Sequence, residues 1–326
     1  TVFHYFAVGL VSAAALAYEI LLLRVFSYSQ WHHFASLAVA LALLGFGAAG
    51  TVLTLLGERV VRWGDRLLYS GILIGVGGMI AAFLMPQFAV WNSTELGKLL
   101  LVDFVSVIPF FGLALCIGQV FIRWPAHTPR LYAANLLGSG VGSLLASLLL
   151  FLSLLEYALM TIPLITLVGA ALLGFRRTPR SIMGAGSVVG VFVIIVWILI
   201  GLPKLPVSDF KRLSYLLDLP DAEILSESPG LHSKASLVRS DSIRVSPGLS
   251  LNWMESIPPQ DALVLGSDRS IPIPRPEDLT AQALGYLEAT LGALPFKLRK
   301  SGPVAILGTS PWQGVYRAWE RRATWV

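Results

Sequence analysis

The sequence predicts a multi-span α-helical membrane bundle of about seven transmembrane helices, followed by a water-soluble α/β segment. Three observations predict this. The chain is 55% hydrophobic and 13% charged, where soluble domains run near about 25% charged. The charges are uneven: residues 1–202 hold 10 Lys/Arg and 6 Asp/Glu, whereas residues 203–326 hold 14 and 13. Finally, the first part is a succession of apolar runs, each close to the roughly 20 residues needed to cross about 30 Å of hydrocarbon.

The runs are 5–28, 34–57, 67–90, 100–122, 131–154, 157–175 and 183–202. The fifth and sixth are so close that Glu156 and Tyr157 must form the tip of a tight hairpin, unless one of the two runs is re-entrant. The first run is too long for a cleavable signal peptide and leads straight into the second. Arg59, Arg62, Arg66, Arg123, Arg130, Arg176, Arg177 and Arg180 fall in alternate loops. By the positive-inside rule they place the N-terminus in the cytoplasm of a bacterial-type membrane. Seven spans then put the C-terminal segment outside. Lys204, Lys211 and Arg212, just after the last span, argue the other way. The net charge of +5 is explained by these topology-setting residues and is not a nucleic-acid signal. The lone Cys116 cannot form an internal disulfide.

Past residue 203 the pattern changes to a β-rich region over 203–278. Residues 222–226, 235–239, 242–245 and 262–265 are β-compatible runs between turn formers. Residues 270–278 are Pro-rich and read as a loop. Residues 279–293 read as an amphipathic helix with Leu279, Ala283, Tyr286, Leu287, Thr290 and Leu291 along one face. Val304–Gly308 is a strand ending in Gly, a helix follows over 314–322, and Thr324–Val326 starts a second strand. That order opens a Rossmann-like unit within 279–326.

Several polar groups stand inside the apolar runs, where ionised groups are costly. Glu19 lies mid-span in the first helix, with Arg24 five residues on. Glu19 reads either as an interhelical clamp, with Asn135 or a serine of span five, or as a proton, ion or substrate contact; the clamp is preferred. Asp103 reads as an interfacial or helix-start charge. Trp31-His32-His33 fits an interfacial belt better than a metal site, because adjacent histidines point different ways. Gly138 and Gly142 make a small-xxx-small packing face that also carries Asn135, Ser139 and Ser143. No metal site is expected.

Ala15-Leu-Ala-Tyr18-Glu19-Ile-Leu-Leu-Leu-Arg24-Val-Phe resembles the first helix of the membrane-bound spermidine synthase-like proteins. Leu131-Tyr-Ala-Ala-Asn135-Leu-Leu-Gly138-Ser-Gly-Val-Gly142 is similar to that family's Tyr-x-x-Asn-x-x-Gly helix. Glu227-Ser228-Pro229 and the short strands after it resemble the family's small β-region. Tyr286–Pro295 and Pro303–Gly308 are similar to the lead-in to its nucleotide-binding strand. The resemblance implies a Rossmann-like methyltransferase fold that takes S-adenosylmethionine or its decarboxylated form and moves an aminopropyl group to a polyamine. The turn Gly308-Thr-Ser-Pro-Trp-Gln-Gly314 departs from the family's Gly-x-Gly-x-Gly. Pro311 removes a donor and Trp312 adds bulk, so only Gly308 and Gly314 carry over, as a degenerate cofactor turn. The ribose and catalytic carboxylates have no counterpart in this sequence. Three functions follow: a non-catalytic structural subunit or scaffold of a membrane complex, with protein partners; a membrane-anchored aminopropyltransferase; and a polyamine or cation transporter using Glu19, against which the lack of an inverted repeat counts.

Overall fold

The computed structural model describes residues 2–30, 34, 36–85, 96–174, 182–231, 233–280, 282–298 and, near the end, 303–304, 313, 316 and 324–325. Trp31-His32-His33, the 176–180 loop and, apart from Gln313, the Gly308–Gly314 turn lie outside the described residues. The chain divides into two compact units, Thr1–Asp209 with Pro229–Lys234, and Phe210–Ser228 with Ala235–Val326.

The first unit is built from helices α1 (Val2–Ser29), α2 (Leu37–Leu56), α3 (Arg59–Leu84), α4 (Leu96–Arg123), α5 (Thr128–Leu152), α6 (Leu155–Gly174) and α7 (Ile182–Ile200). Among the described residues, five helices are long and apolar enough to cross a membrane: His4–Ser29, Leu37–Leu56, Arg66–Leu84, Leu100–Arg123 and Pro125–Leu152. This is the fold of a membrane protein. Leu155–Ala171 and Gly190–Ile200 are shorter apolar stretches. The α5–α6 connection is as tight as the sequence suggests but lies earlier in the chain. Ser153 caps α5 in an extended conformation, and Glu156 already belongs to the first turn of α6. The tip is therefore Ser153-Leu154, not Glu156-Tyr157.

Lipid offers no hydrophobic drive between helices, so close backbone approach holds them together. Glycines supply it. A Cβ on Gly138 would collide with the carbonyl oxygen of Gly9, and one on Gly142 with that of Ala13. Both numbers rise together, so α1 and α5 run parallel. Gly45 lies on Phe110 and Gly118 on Leu53, so α2 and α4 are parallel too. Gly71, Gly75 and Gly78 of α3 meet α4 in reverse order, near Cys116, Leu113 and Pro109; this pair is antiparallel. The helices enclose a main apolar core, in which Tyr18, Leu21, Phe26, Phe110, Leu113 and Met160 are buried, and a smaller cluster of Ala49, Leu53, Val60, Ala114 and Leu115. Outward side chains such as Leu43, Leu55, Leu137 and Leu144 are more than half exposed, as a lipid-facing surface requires.

Gly64 is non-helical and divides α3 into an Arg-rich lead-in and the apolar span. The kink frees carbonyls, and buried Gln119 of α4 meets them: its Nε2 donates to Val60 O at 2.9 Å and to Gly64 O at 3.3 Å. Such breaks are tolerated at membrane depth only where a neighbour satisfies the freed groups.

The second unit holds the short helix α8 (Arg212–Leu217) and strands β1 (Glu223–Ser228), β2 (Ala235–Arg239), β3 (Gln260–Leu265) and β4 (Arg269–Pro274). They form an antiparallel sheet in the order β1-β2-β3-β4. Three expectations fail here. Residues 242–245 are not a strand: Val245 N–H donates to the Gln260 side-chain oxygen at 2.9 Å, so a side chain replaces a ladder. The Pro-rich stretch is not a loop but contains β4, in which Pro272 pairs with Ala262 and Pro274 with Gln260. β4 is an edge strand, the place where a missing N–H can face outward. The helix expected over 279–293 is a set of short 3₁₀ turns, Gly285–Ala289 and Leu291–Ala293, with extended Thr290 between them. Pairing with residues 248–250 pulls Thr290 out of helix, since Ser250 N–H donates to Ala289 O and Leu291 N–H to Gly248 O. Tyr286 and Leu287 are buried, whereas Leu279 and Leu291 are exposed, so the predicted face is not one face. Helix α9 (Leu294–Leu298) follows, and then β5 (Pro303–Val304) pairs parallel with β6 (Thr324–Trp325).

Candidate functional site

The polar groups of the helical unit fall into two sets. The first is engaged in packing. Ser12 Oγ of α1 donates to Asn135 Oδ1 of α5 at 2.7 Å, three residues before Gly138. Asn135, Gly138 and Gly142 thus act together on α1, as a clamp beside a backbone seam. The α1–α5 clamp uses Ser12, not Glu19. Arg24 is half-buried and its Nη2 donates to Leu231 O at 3.2 Å.

The second set is carboxylates without full partners. Glu19 is half-buried in α1 and makes no hydrogen bond or ion pair with a described residue. Its neighbour Tyr18 is buried, with its ring 5.4 Å from that of Phe110. Asp103 is half-buried in α4, and its Oδ1 is enclosed without a partner. Glu156, in the first turn of α6, is 5% exposed. Its Oε1 accepts the Leu205 N–H at 3.2 Å, and its Oε2 is buried with no partner. Sequence reading assigned Glu156 to a loop and passed over Gln119. A lone amide or carboxylate flanked by apolar residues was the available signal for both. Among the described residues, no bond joins Glu19 to Arg24, Asp103 or Asn135, so these groups form no single site. No group of three or more His, Cys, Asp or Glu there could hold a metal ion.

The second unit keeps its charges in networks at water. Asp261 of β3, 8% exposed, accepts from Arg239 Nε and Nη2 at 2.9 and 2.8 Å. It also faces Arg275 Nε at 3.3 Å, and Arg275 Nη1 reaches Asp241 at 2.8 Å. The bond to Asp261 raises the Arg239 guanidinium above its ordinary pKa, against a smaller desolvation effect. Buried Lys211 pairs with Asp268.

Two clefts open on this unit. One, of about 530 Å³, is lined by Arg244, Trp253, Glu255 and Tyr286 among others. Tyr286 is fixed at its hydroxyl, which accepts from Gln260 Nε2 at 2.8 Å. The other, of about 380 Å³, has Arg212, Arg269 and Ser270 over an apolar floor. Neither was visible in the sequence, because their walls come from separate elements. Comparisons with family models, curated proteins and solved structures find no match to this chain.

Proposed function

We propose that this chain is a membrane-embedded, non-catalytic structural subunit, a seven-span platform for a membrane complex whose protein partners gather around it. The observation that carries the reading is the glycine-locked contact of α5 on α1, where Gly138 and Gly142 meet the carbonyls of Gly9 and Ala13. A seam of backbone on backbone is a close structural contact, and the polar groups beside it serve the same contact. Helix directions support alternating crossings for α1 to α5: α1 and α5, and α2 and α4, are parallel, whereas neighbours α3 and α4 are antiparallel. Helices α6 and α7, 20 and 19 residues long, come close to the roughly 20 residues that a crossing needs. The N-terminus is assigned to the cytoplasm and the second unit to the opposite side, on the loop arginines.

A second reading, an aminopropyltransferase-type enzyme, is favoured by one observation. β5 and β6 pair parallel, and adjacent parallel strands need a crossover connection such as a helix. That is the arrangement a Rossmann-like unit begins with. One experiment separates the two readings. Full-length protein is extracted from its native membrane in mild detergent, sized by native mass spectrometry and titrated with decarboxylated S-adenosylmethionine. The platform reading expects stoichiometric co-purifying protein and no saturable nucleotide binding. A solitary protein that binds the nucleotide saturably overturns it in favour of the enzyme.

A further inference from the structure

We infer that the cleft between α8 and β4 is a binding site for an organic phosphate, a group with an oxyanion head and an apolar body. This goes beyond the platform reading and does not depend on it. Arg212 and Arg269 both line the cleft, and so does the Ser270 hydroxyl. Arg212 Nε donates to Ser270 Oγ at 3.1 Å, and its guanidinium lies over the Tyr215 ring at 5.0 Å. These two contacts fix the guanidinium in place and leave its two terminal nitrogens for another acceptor. The Arg269 side chain makes no hydrogen bond or ion pair with any described residue.

The one carboxylate in the lining, Asp268, is neutralised by Lys211, which is itself 2% exposed. Two positive charges therefore line one cleft with no free negative charge among them, an arrangement that an oxyanion relieves. Planar guanidinium forks suit phosphate in particular, because two parallel N–H groups match two oxygens. The floor selects the rest of the ligand. Val245 is half-buried and Pro247 exposed, and these two bring accessible apolar surface to the cleft, beside buried Ile243 and Ala262. A bare phosphate leaves that floor wet, whereas a phosphate ester covers it. The same chemistry is offered by a phospholipid headgroup with its glycerol and by a soluble phosphate ester.

The test uses full-length protein in maltoside micelles, which contain no phosphate, with phenyl phosphate as probe, followed by calorimetry or thermophoresis. Saturable binding is expected, weaker for inorganic phosphate. Arg269→Ala should weaken it about tenfold, and Arg269→Lys less, since a lysine keeps the charge and loses the fork. Arg269 is exposed, so an unchanged melting midpoint should accompany the loss. Competition by dioctanoyl phosphatidylglycerol assigns the site to a lipid headgroup. Competition by a hexose phosphate but not by that lipid assigns it to a soluble ester. Absent saturable binding, or equal binding in Arg269→Ala, overturns the inference.

Discussion

The two units solve the same problem, holding their elements together, by opposite means. In the helical unit contact is made by the removal of side chains. Glycines bring α5 onto α1 and α3 onto α4 until backbone meets backbone, and a few hydrogen bonds from Ser12 and Gln119 finish the joints. In the β unit buried side chains make the contact and a charged network joins the strands: Asp261 sits between Arg239 and Arg275, which in turn reaches Asp241. The difference follows from the solvent. Between helices in lipid, burial of apolar surface yields nothing, so dispersion at short range decides. In water, apolar burial drives the sheet together and the charged network fixes its register.

The comparison breaks most visibly where a side chain is restored to the seam. Gly142→Leu forces a branched side chain into the Ala13 carbonyl. The loss should be about 3 kcal/mol or more, read as a collapse of the folded fraction in an SDS titration. Gly140, two residues away, has open space at its Cβ position, and Gly140→Leu should leave the titration unchanged. Equal damage from both would mean that added bulk anywhere on α5, not the fit of the seam, sets stability, since helix propensity alone favours Leu over Gly at either position.

In the β unit the corresponding change is Asp261→Asn. It leaves Arg275, 12% exposed, without its buried countercharge, at a cost of about 3 kcal/mol when one partner of a buried pair is removed. Arg239 is more exposed, and its share is screened by water. Hydrogen exchange in the intact protein should show faster exchange over 235–274 and no change in α1 or α5. The sign of the pH dependence on the arginine side is fixed. A raised folded pKa gives stability that is fully present below the unfolded value and is lost only as pH rises through the folded one. The Arg239 contribution therefore stays constant through the neutral range. A protective effect that fades between weakly acid and neutral pH would point to another group.

What was legible in the sequence follows the same division. Apolar run length marks helices because the bilayer imposes it, and α1 to α5 lie where the runs predicted. Asn135, Gly138 and Gly142 were legible as one face because helical spacing is local. Their partners Gly9, Ser12 and Ala13 were not, because nothing in α1 says which helix it meets. In the β unit, Pro272 and Pro274 argued against a strand, and only the knowledge that β4 is an edge reverses the argument. Thr290 left the helical pattern for a pairing with residues far off in the chain. The Arg212–Arg269 cleft joins α8 to β4 and has no local signature at all.

The finest test concerns the hydrogen bond beside the seam. Ser12 Oγ to Asn135 Oδ1 is short, yet a double-mutant cycle of Ser12→Ala and Asn135→Leu should give a coupling of only about 0.6 kcal/mol. The unfolded helices in a membrane also find partners for these groups, so the folded state gains little by difference. The bond's role is then to set register, placing Gly138 and Gly142 opposite the two carbonyls they fit. Two outcomes divide the accounts. A coupling near the expected value, with cross-linking between α1 and α5 shifted by one turn in the double variant, assigns the bond to register and the seam to stability. A coupling several times larger, with register unchanged, would make the helical unit like the β unit after all, held by polar partners and merely permitted by its glycines.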